Sequence, residues 1–319
     1  MKKRLSGLCK STALCPRRPD ATTKEFSLDI RSYRRTPHPH DFDGKRLVDP
    51  HPPKREHGAW NVLMNFKTPR RPQFFYTTAP LPCPYVAGRT ERKVVTEIAG
   101  PGTEALHDRL SRAGFRRSHN IAYAPVCPAC QSCIPIRIPV AGFQPGTTLR
   151  RIARANAGIE GFIVGPRATA EQFQLFQRYQ QARHGGGDMA TMSFYDYRAM
   201  VEDTPVETFL VEFRDPDTRL ISACLTDRLG DGLSAVYSYY APSMDKRSLG
   251  THAILWLIER ARIMGLPYVY LGYWVPESRK MAYKARFRPA EVLISGTWRM
   301  LTDADMAQSE LAMLTEPAN

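Results

Sequence analysis

Three cysteines stand within seven residues in Cys127-Pro-Ala-Cys130-Gln-Ser-Cys133, and thiolates at a C-x2-C-x2-C spacing can converge on one soft metal or on an iron–sulfur cluster. Three ligands leave such a site one short. Cys83, in Pro82-Cys83-Pro84-Tyr85, is the candidate for the fourth, to be brought in by folding. A bacterial ferredoxin run would need a further Cys at 137, where Arg137 stands. Cys9 and Cys15 fall in a proline-rich stretch, and Cys224 lies in an apolar run where a small buried hydrophobe is its ordinary role. Nothing indicates an oxidising compartment, and so tight a triple suits a ligand cluster better than disulfides. The expected metal ligands are Cys83, Cys127, Cys130 and Cys133, and spacing leaves zinc and an Fe–S cluster both open.

The net charge of +14 is unevenly placed. Residues 1–72 carry 17 Lys/Arg against 7 Asp/Glu, residues 73–154 carry 11 against 4, and residues 155–319 carry 17 against 20. A basic front and a slightly acidic rear fit a polyanion-holding module beside a chemistry module. No stretch approaches the roughly 18 uninterrupted apolar residues of a membrane span. Leu5 to Ala13 is too broken for a signal-peptide core, so the protein is expected in the cytoplasm, away from membranes.

The chain divides by texture into three segments. Residues 1–72 hold nine prolines and no sustained apolar period, and are expected to be a disordered basic extension. Met64 precedes the first globular stretch, so residues 1–63 are expected to be dispensable. Residues 73–154 are expected to form a small cysteine-containing α+β domain facing the polyanion. Its strands are expected at Lys93–Ile98, Ile121–Pro125 and Ile134–Val140, with a helix from Thr103 and a basic helical segment near Leu149–Asn156.

Residues 155–319 are expected to form the catalytic domain. Thr169-Ala-Glu-Gln172 has the spacing of a capping box, and Ser193 opens another helix. Three strand-like runs at Thr208–Phe213, Leu220–Arg228 and Ser234–Tyr240 are joined by the turn signals Asp215-Pro-Asp217 and Gly230-Asp-Gly232. A helix over about Thr251–Met264, a strand Tyr268–Trp274, a short helix near Ser278–Lys284 and a last strand Val292–Met300 complete the chain. That order resembles the second half of the Gcn5-related N-acetyltransferase fold.

Several segments together resemble the arginyl/leucyl-tRNA-protein transferase family. They include Gln73-Phe-Phe-Tyr-Thr-Thr-Ala-Pro-Leu-Pro-Cys-Pro-Tyr85, Gly114-Phe-Arg-Arg-Ser-His119, the cysteine run, Tyr179-Gln-Gln-Ala-Arg-His184, Tyr237-Ser-Tyr-Tyr-Ala-Pro242, Tyr270-Leu-Gly-Tyr-Trp274 and Ser278-Arg-Lys-Met-Ala-Tyr-Lys284. They run in family order from residue 73 to about 300. The resemblance implies an α+β protein with a smaller cysteine-containing N-terminal domain and a Gcn5-related N-acetyltransferase-like C-terminal domain. It also implies metal or Fe–S binding at the four cysteines. The cysteine spacing and compact length place the chain with the bacterial leucyl branch, which moves leucine from leucyl-tRNA to the α-amine of proteins beginning with Asp or Glu and so marks them for degradation.

An aminoacyl-tRNA is already an activated ester and the acceptor's α-amine is the nucleophile, so the enzyme need supply only positioning, oxyanion stabilisation and a weak base. In the family's fold the strands at Tyr237–Tyr240 and Tyr270–Trp274 would splay to admit the acyl donor. Tyr239 and Tyr273 are the expected catalytic hydrogen-bond donors, with Tyr237 and Trp274 lining a leucine pocket. An acceptor carboxylate needs a cation, for which Arg183, Lys280 and Lys284 are the candidates. His184 is a further candidate, as a cation or for a catalytic role. The tRNA is expected along Arg92, Lys93, Arg116, Arg117, Arg150, Arg151 and Arg154.

Two neighbouring activities remain as alternatives: arginine as the transferred residue, and an acyl-CoA N-acetyltransferase. Against the second, Arg247-Ser-Leu-Gly250-Thr-His252 puts a histidine where a pyrophosphate-cradling turn wants a small residue, so no CoA is expected. A zinc-containing RNA-binding module would account for residues 73–154 alone.

Overall fold

The computed structural model of the protein describes residues 72–307, all within one compact unit. The expected N-terminal extension, Met64, Cys9 and Cys15 lie outside the described residues. Along the chain come β1 (Tyr76–Thr77), β2 (Leu81–Pro82), β3 (Thr90–Glu91), β4 (Lys93–Glu97), α1 (Thr103–Arg112), β5 (Arg116–Ser118), β6 (Ile121–Pro125) and β7 (Ile134–Pro139). Then follow α2 (Thr147–Ala155), β8 (Glu160–Val164), α3 (Ala170–His184), α4 (Phe194–Glu202), β9 (Thr208–Arg214), β10 (Leu220–Leu229) and β11 (Gly232–Tyr240). Last are α5 (Leu249–Ile263), β12 (Tyr268–Trp274), β13 (Glu291–Ile294) and β14 (Thr297–Met300). The fold is mixed α+β. Among the described residues no helix is long and apolar enough to cross a membrane.

A four-stranded sheet ordered β1-β4-β6-β5 holds the front of the chain, and an eight-stranded sheet ordered β14-β13-β7-β12-β11-β10-β9-β8 holds the rest. The larger sheet draws β7 from the front segment and pairs it antiparallel with β12. The division at 154/155, drawn from charge and texture, therefore does not separate the two sheets. Composition reports partners and solvent, whereas strand pairing joins residues more than a hundred positions apart.

Local chemistry sets most boundaries. Thr169 and Gln172 complete the capping box that opens α3, with Thr169 Oγ1 accepting from the Gln172 amide at 3.2 Å and Gln172 Oε1 accepting from the Thr169 amide at 3.0 Å. Ser193 and Asp196 do the same for α4. Helix α5 buries Ala253, Ile254, Leu257, Ile258 and Ala261, an i, i+4 stripe, against the sheet. Each large side chain in it contributes about 1.5–3 kcal/mol of burial.

Two expectations change. The last run, read as one strand, is a hairpin that turns at Ser295 and Gly296, both in the left-handed region with φ of 50° and 77°. The short helix expected near Ser278–Lys284 is a 3-10 turn at Ala282–Arg286.

The two sheets are joined through buried charge. Arg117 on β5 is 5% exposed and grips Asp227 on β10 with both ends of its fork, Nε to Oδ2 at 2.6 Å and Nη2 to Oδ1 at 2.7 Å. Thr208 Oγ1 donates to the same carboxylate at 2.8 Å, and Arg117 Nη1 donates to the His119 carbonyl at 2.8 Å. His107 Nε2 lies 3.6 Å from Asp227, yet burial holds the imidazole's pKa below its ordinary value against that carboxylate's pull. Removing one partner of so buried a pair leaves an uncompensated charge. Asp227→Asn is expected to lower unfolding stability by about 3–5 kcal/mol in denaturant titration. The double replacement Arg117→Met with Asp227→Leu should recover most of that loss.

Candidate active site

Strands β11 and β12 are parallel neighbours with α5 as their crossover, but they pair only over Gly232↔Tyr268, Leu233↔Val269 and Ser234↔Tyr270. Beyond Ser234 the two strands part. Arg116, from β5, occupies the opening: Nη2 donates to the carbonyls of Ala235 at 2.6 Å and Val236 at 3.0 Å, and Nη1 reaches Ser234 Oγ at 3.4 Å. Across from it, Gly272 on β12 has φ +76°, and a Cβ there would stand 2.7 Å from Arg116 Nε. Glycine is required both by the left-handed backbone and by the guanidinium against it.

Past the wedge, side chains from α3, β11 and the segments after β11 and β12 gather at the mouth of the divergence. The Tyr179 ring meets Tyr240 at 4.9 Å and His184 at 5.7 Å, and Gln180 Nε2 donates to the Tyr237 hydroxyl at 2.6 Å. Arg183 sits over the Tyr240 ring at 5.5 Å and is ion-paired to Asp245. Partial burial, then the charges of Lys280 and Arg183, hold the His184 pKa below its ordinary value. Both effects favour the neutral imidazole over the cation.

The expected site residues divide accordingly. Arg183, His184, Tyr237 and Lys280 come together at this mouth. Tyr239 does not: it is 1% exposed, and its hydroxyl lies 2.6 Å from that of Tyr197 in the core. Tyr273 is also withdrawn, its hydroxyl donating to the Gly114 carbonyl at 3.0 Å and the Tyr123 carbonyl at 3.2 Å. Both hydroxyls are spent on structure: the Tyr239 ring packs against Phe176 of α3 and Tyr197 of α4, and Tyr273 reaches carbonyls of the front segment. Trp274 is 2% exposed, and its indole N–H has no hydrogen-bond partner among the described residues. Lys284 is buried, with Nζ donating to the Tyr273 carbonyl at 2.8 Å. Burial, then the charge of Arg116, brings its pKa down to about 7, so it is no surface cation for an acceptor.

The basic residues sort in the same way. Arg117 is locked on Asp227 and Arg116 on β11, so neither offers its fork to a phosphate. Arg92 Nε donates to the Thr78 carbonyl at 3.1 Å, and Lys93 pairs with Glu91 at 2.8 Å on the small sheet. Arg150, Arg151 and Arg154 are exposed on α2. The end of α2 is tied to the segment before α5 by Asn156 Nδ2, which donates to the Arg247 carbonyl at 2.9 Å. Exposed Lys246 and Arg247 thereby extend the α2 cations toward the mouth. They were missed in the sequence because only this tertiary hydrogen bond links them to α2. His252, expected to obstruct a pyrophosphate turn, packs its ring against Phe213 at 5.6 Å.

The four cysteines lie in one neighbourhood, Cys83 and Cys133 both packing about Tyr273 and Val275. Burial, followed by the charges of Cys83, Cys127 and Cys130, pushes the Cys133 thiol up to about 12. Burial opposes ionisation of Cys130 as well, yet hydrogen bonds from Ser132 and Arg89 hold its thiol below the ordinary value. Backbone amides point at two sulfurs, Val86 at Cys83 and Arg92 at Cys127, each at 3.4 Å. The donor set is the soft one that zinc or an iron–sulfur cluster takes. Among the described residues, however, no three His, Cys, Asp or Glu side chains stand so as to hold one metal ion.

A lysine near 7 in the fold and near 10.4 unfolded makes stability pH-dependent. Between those values the unfolded chain binds a proton that the folded one does not, so this contribution to stability rises with pH from about 7 to about 10. Lys284→Met should remove that rise, leaving a flatter difference in denaturant midpoint between pH 7 and pH 9.5 than the wild-type chain shows.

The protein-family models for arginine-tRNA-protein transferases match this chain over residues 81–151 for the N terminus and 171–294 for the C terminus. The aspartate/glutamate leucyltransferase of Gluconacetobacter diazotrophicus is 65% identical over 247 residues, 77% of this chain and 95% of that protein. That of Granulibacter bethesdensis is 65% identical over 240 residues, 75% and 90% of the two chains. Among solved structures, FemX superposes with a TM-score of 0.40 and 9% identity over 68% of this chain and 72% of its own. With both family models matched in order and relatives this similar along nearly their whole length, the chain belongs to the arginyl/leucyl-tRNA-protein transferase family and stands with its aspartate/glutamate leucyltransferases.

Proposed function

We propose that the protein transfers leucine from leucyl-tRNA to the α-amine of proteins whose first residue is Asp or Glu, creating an N-terminal degradation signal. The 65% identity to aspartate/glutamate leucyltransferases along 95% of one relative's length carries this reading. The divergence of β11 from β12 supports it, since a gap between parallel strands of an otherwise antiparallel sheet is how a Gcn5-related acyltransferase platform admits an acyl donor.

The α-amine attacks the ester carbonyl, a C–N bond forms, and the C–O bond to the tRNA's 3′-terminal ribose breaks. The proton lost by the amine passes to neutral His184 or to water, and the departing ribose oxygen takes up a proton. Arg183, seated on Tyr240, would receive the acceptor's carboxylate, with Lys280 nearby. The α2 cations with Lys246 and Arg247 would carry the tRNA backbone.

Cys83, Cys127, Cys130 and Cys133 would hold zinc or an Fe–S cluster. The two amide-to-sulfur hydrogen bonds support that assignment, and the sulfurs would have to draw closer than in this structure to share one metal. Such a group would brace the loop between β6 and β7 against β12.

Protein purified anaerobically should contain about one zinc, or iron with matching sulfide, per chain by elemental analysis. Replacing any of the four cysteines by Ser should release it. Protein free of both elements would remove the metal from this reading.

Labelled leucyl- and arginyl-tRNA, incubated with peptides beginning Asp, Glu, Arg or Ala, test the activity directly. Leucine should appear on the Asp and Glu peptides alone. Arg183→Ala should raise peptide KM by one or more orders of magnitude with tRNA affinity unchanged. Arg150→Ala should weaken tRNA binding for every acceptor alike, and more so at low salt. Transfer of arginine in place of leucine would sink the donor assignment.

A further inference from the structure

The acceptor pocket already contains a carboxylate of the chain's own. Asp245 lies in the 3-10 turn Pro242–Arg247 and holds Arg183 through a single guanidinium nitrogen, Nη2. Arg183 also lies over the Tyr240 ring, 5.5 Å from its centroid, while its Nη2 is held by Asp245. Both partners are well exposed, the side chain of Asp245 at 68% and that of Arg183 at 41%. The turn that carries Asp245 is not a regular helix: Met244 departs from helical angles at φ −105°, ψ 25°, and Ser248 closes it at φ 54°. Lys280 lies near His184, and the exposed Lys246 and Arg247 follow Asp245 in the chain.

An exposed ion pair adds little to stability, since water competes for both charges. As a structural clasp between α3 and the turn, Asp245 is therefore weak. As a competitor it is well placed, because its side chain presents the same chemical group as an acceptor beginning with Asp.

We propose that Asp245 is a built-in competitor that occupies the acceptor's carboxylate site on Arg183 and must be displaced by the incoming first residue. The inference rests on Arg183 being the acceptor's partner, as the proposed function has it. An acceptor with its own carboxylate replaces one ion pair by another and loses nothing at Arg183. An acceptor with a neutral first residue makes no use of Arg183, so the competition from Asp245 is felt by acidic acceptors alone.

The test is steady-state leucine transfer from leucyl-tRNA to peptides beginning Asp, Glu and Ala, by the wild-type chain, Asp245→Asn, Arg183→Ala and the double variant. Asp245→Asn should lower KM for the Asp and Glu peptides about two- to fivefold, the range an exposed ion pair supplies, with the gain read in KM and not in kcat. In the Arg183→Ala background the same replacement should bring no gain, because the competition has lost its object. Asp245→Ser should repeat the result, and unfolding midpoints should show that each variant is folded. An unchanged or raised KM for Asp245→Asn overturns the proposal. So does an equal gain with Arg183 absent, which would mean general repulsion of an acidic peptide. Absence of leucine transfer by the wild-type chain instead overturns the proposed function, and the inference with it.

Discussion

The architecture turns on the parting of β11 from β12 after only three paired positions. Two neighbouring strands that separate leave amides and carbonyls without partners, and a buried unpaired carbonyl is costly. Arg116 meets that need at Ala235 and Val236 with charge-assisted hydrogen bonds, and Gly272 yields the space for it. The gap is therefore a built feature, held by a side chain from the smaller sheet. It is also why the front of the chain cannot be regarded as a detachable tRNA module: its arginines complete the interior of the larger sheet.

Arg117 makes the same point one residue later. Adjacent strand residues face opposite ways, so Arg116 enters the β11–β12 gap while Arg117 reaches Asp227, Thr208 and the His119 carbonyl. A buried charge pair is a poor source of net stability but a demanding one, since each partner is intolerable without the other. The arrangement fixes β5 against β10, and with it the height at which Arg116 enters the gap.

The mouth of the gap has the opposite character. Its aromatic rings, Tyr179, Tyr237 and Tyr240, are only partly buried, and its cations are exposed or loosely paired. In the proposed reaction this mouth takes an acyl-tRNA end and a protein terminus in turn, which calls for surfaces that exchange partners at small cost. The rigid wedge supplies position, and the looser rim supplies exchange.

The sequence by itself determined the elements that local chemistry controls. The capping box at Thr169–Gln172, the turns at Asp215–Asp217 and Gly230–Gly232, and strands Ile121–Pro125 and Tyr268–Trp274 were all legible, because hydrogen bonds and apolar periods a few residues long set them. The gathering of Arg183, His184, Tyr237 and Lys280 was legible through motifs that resemble a family. Only the tertiary structure decided which of several identical residue types were available. Tyr239 and Tyr273 read no differently from Tyr237 and Tyr240, and Arg116 and Arg117 no differently from Arg150 and Arg151. Their roles diverge because long-range packing and pairing bury some against other elements and leave others at the rim; Tyr237 and Tyr239 share one face of β11, and it is Tyr239 that lies against Tyr197 of α4. Lys284 was misplaced for the same reason, since burial and its partner, the Tyr273 carbonyl, depend on contacts that no window along the chain contains.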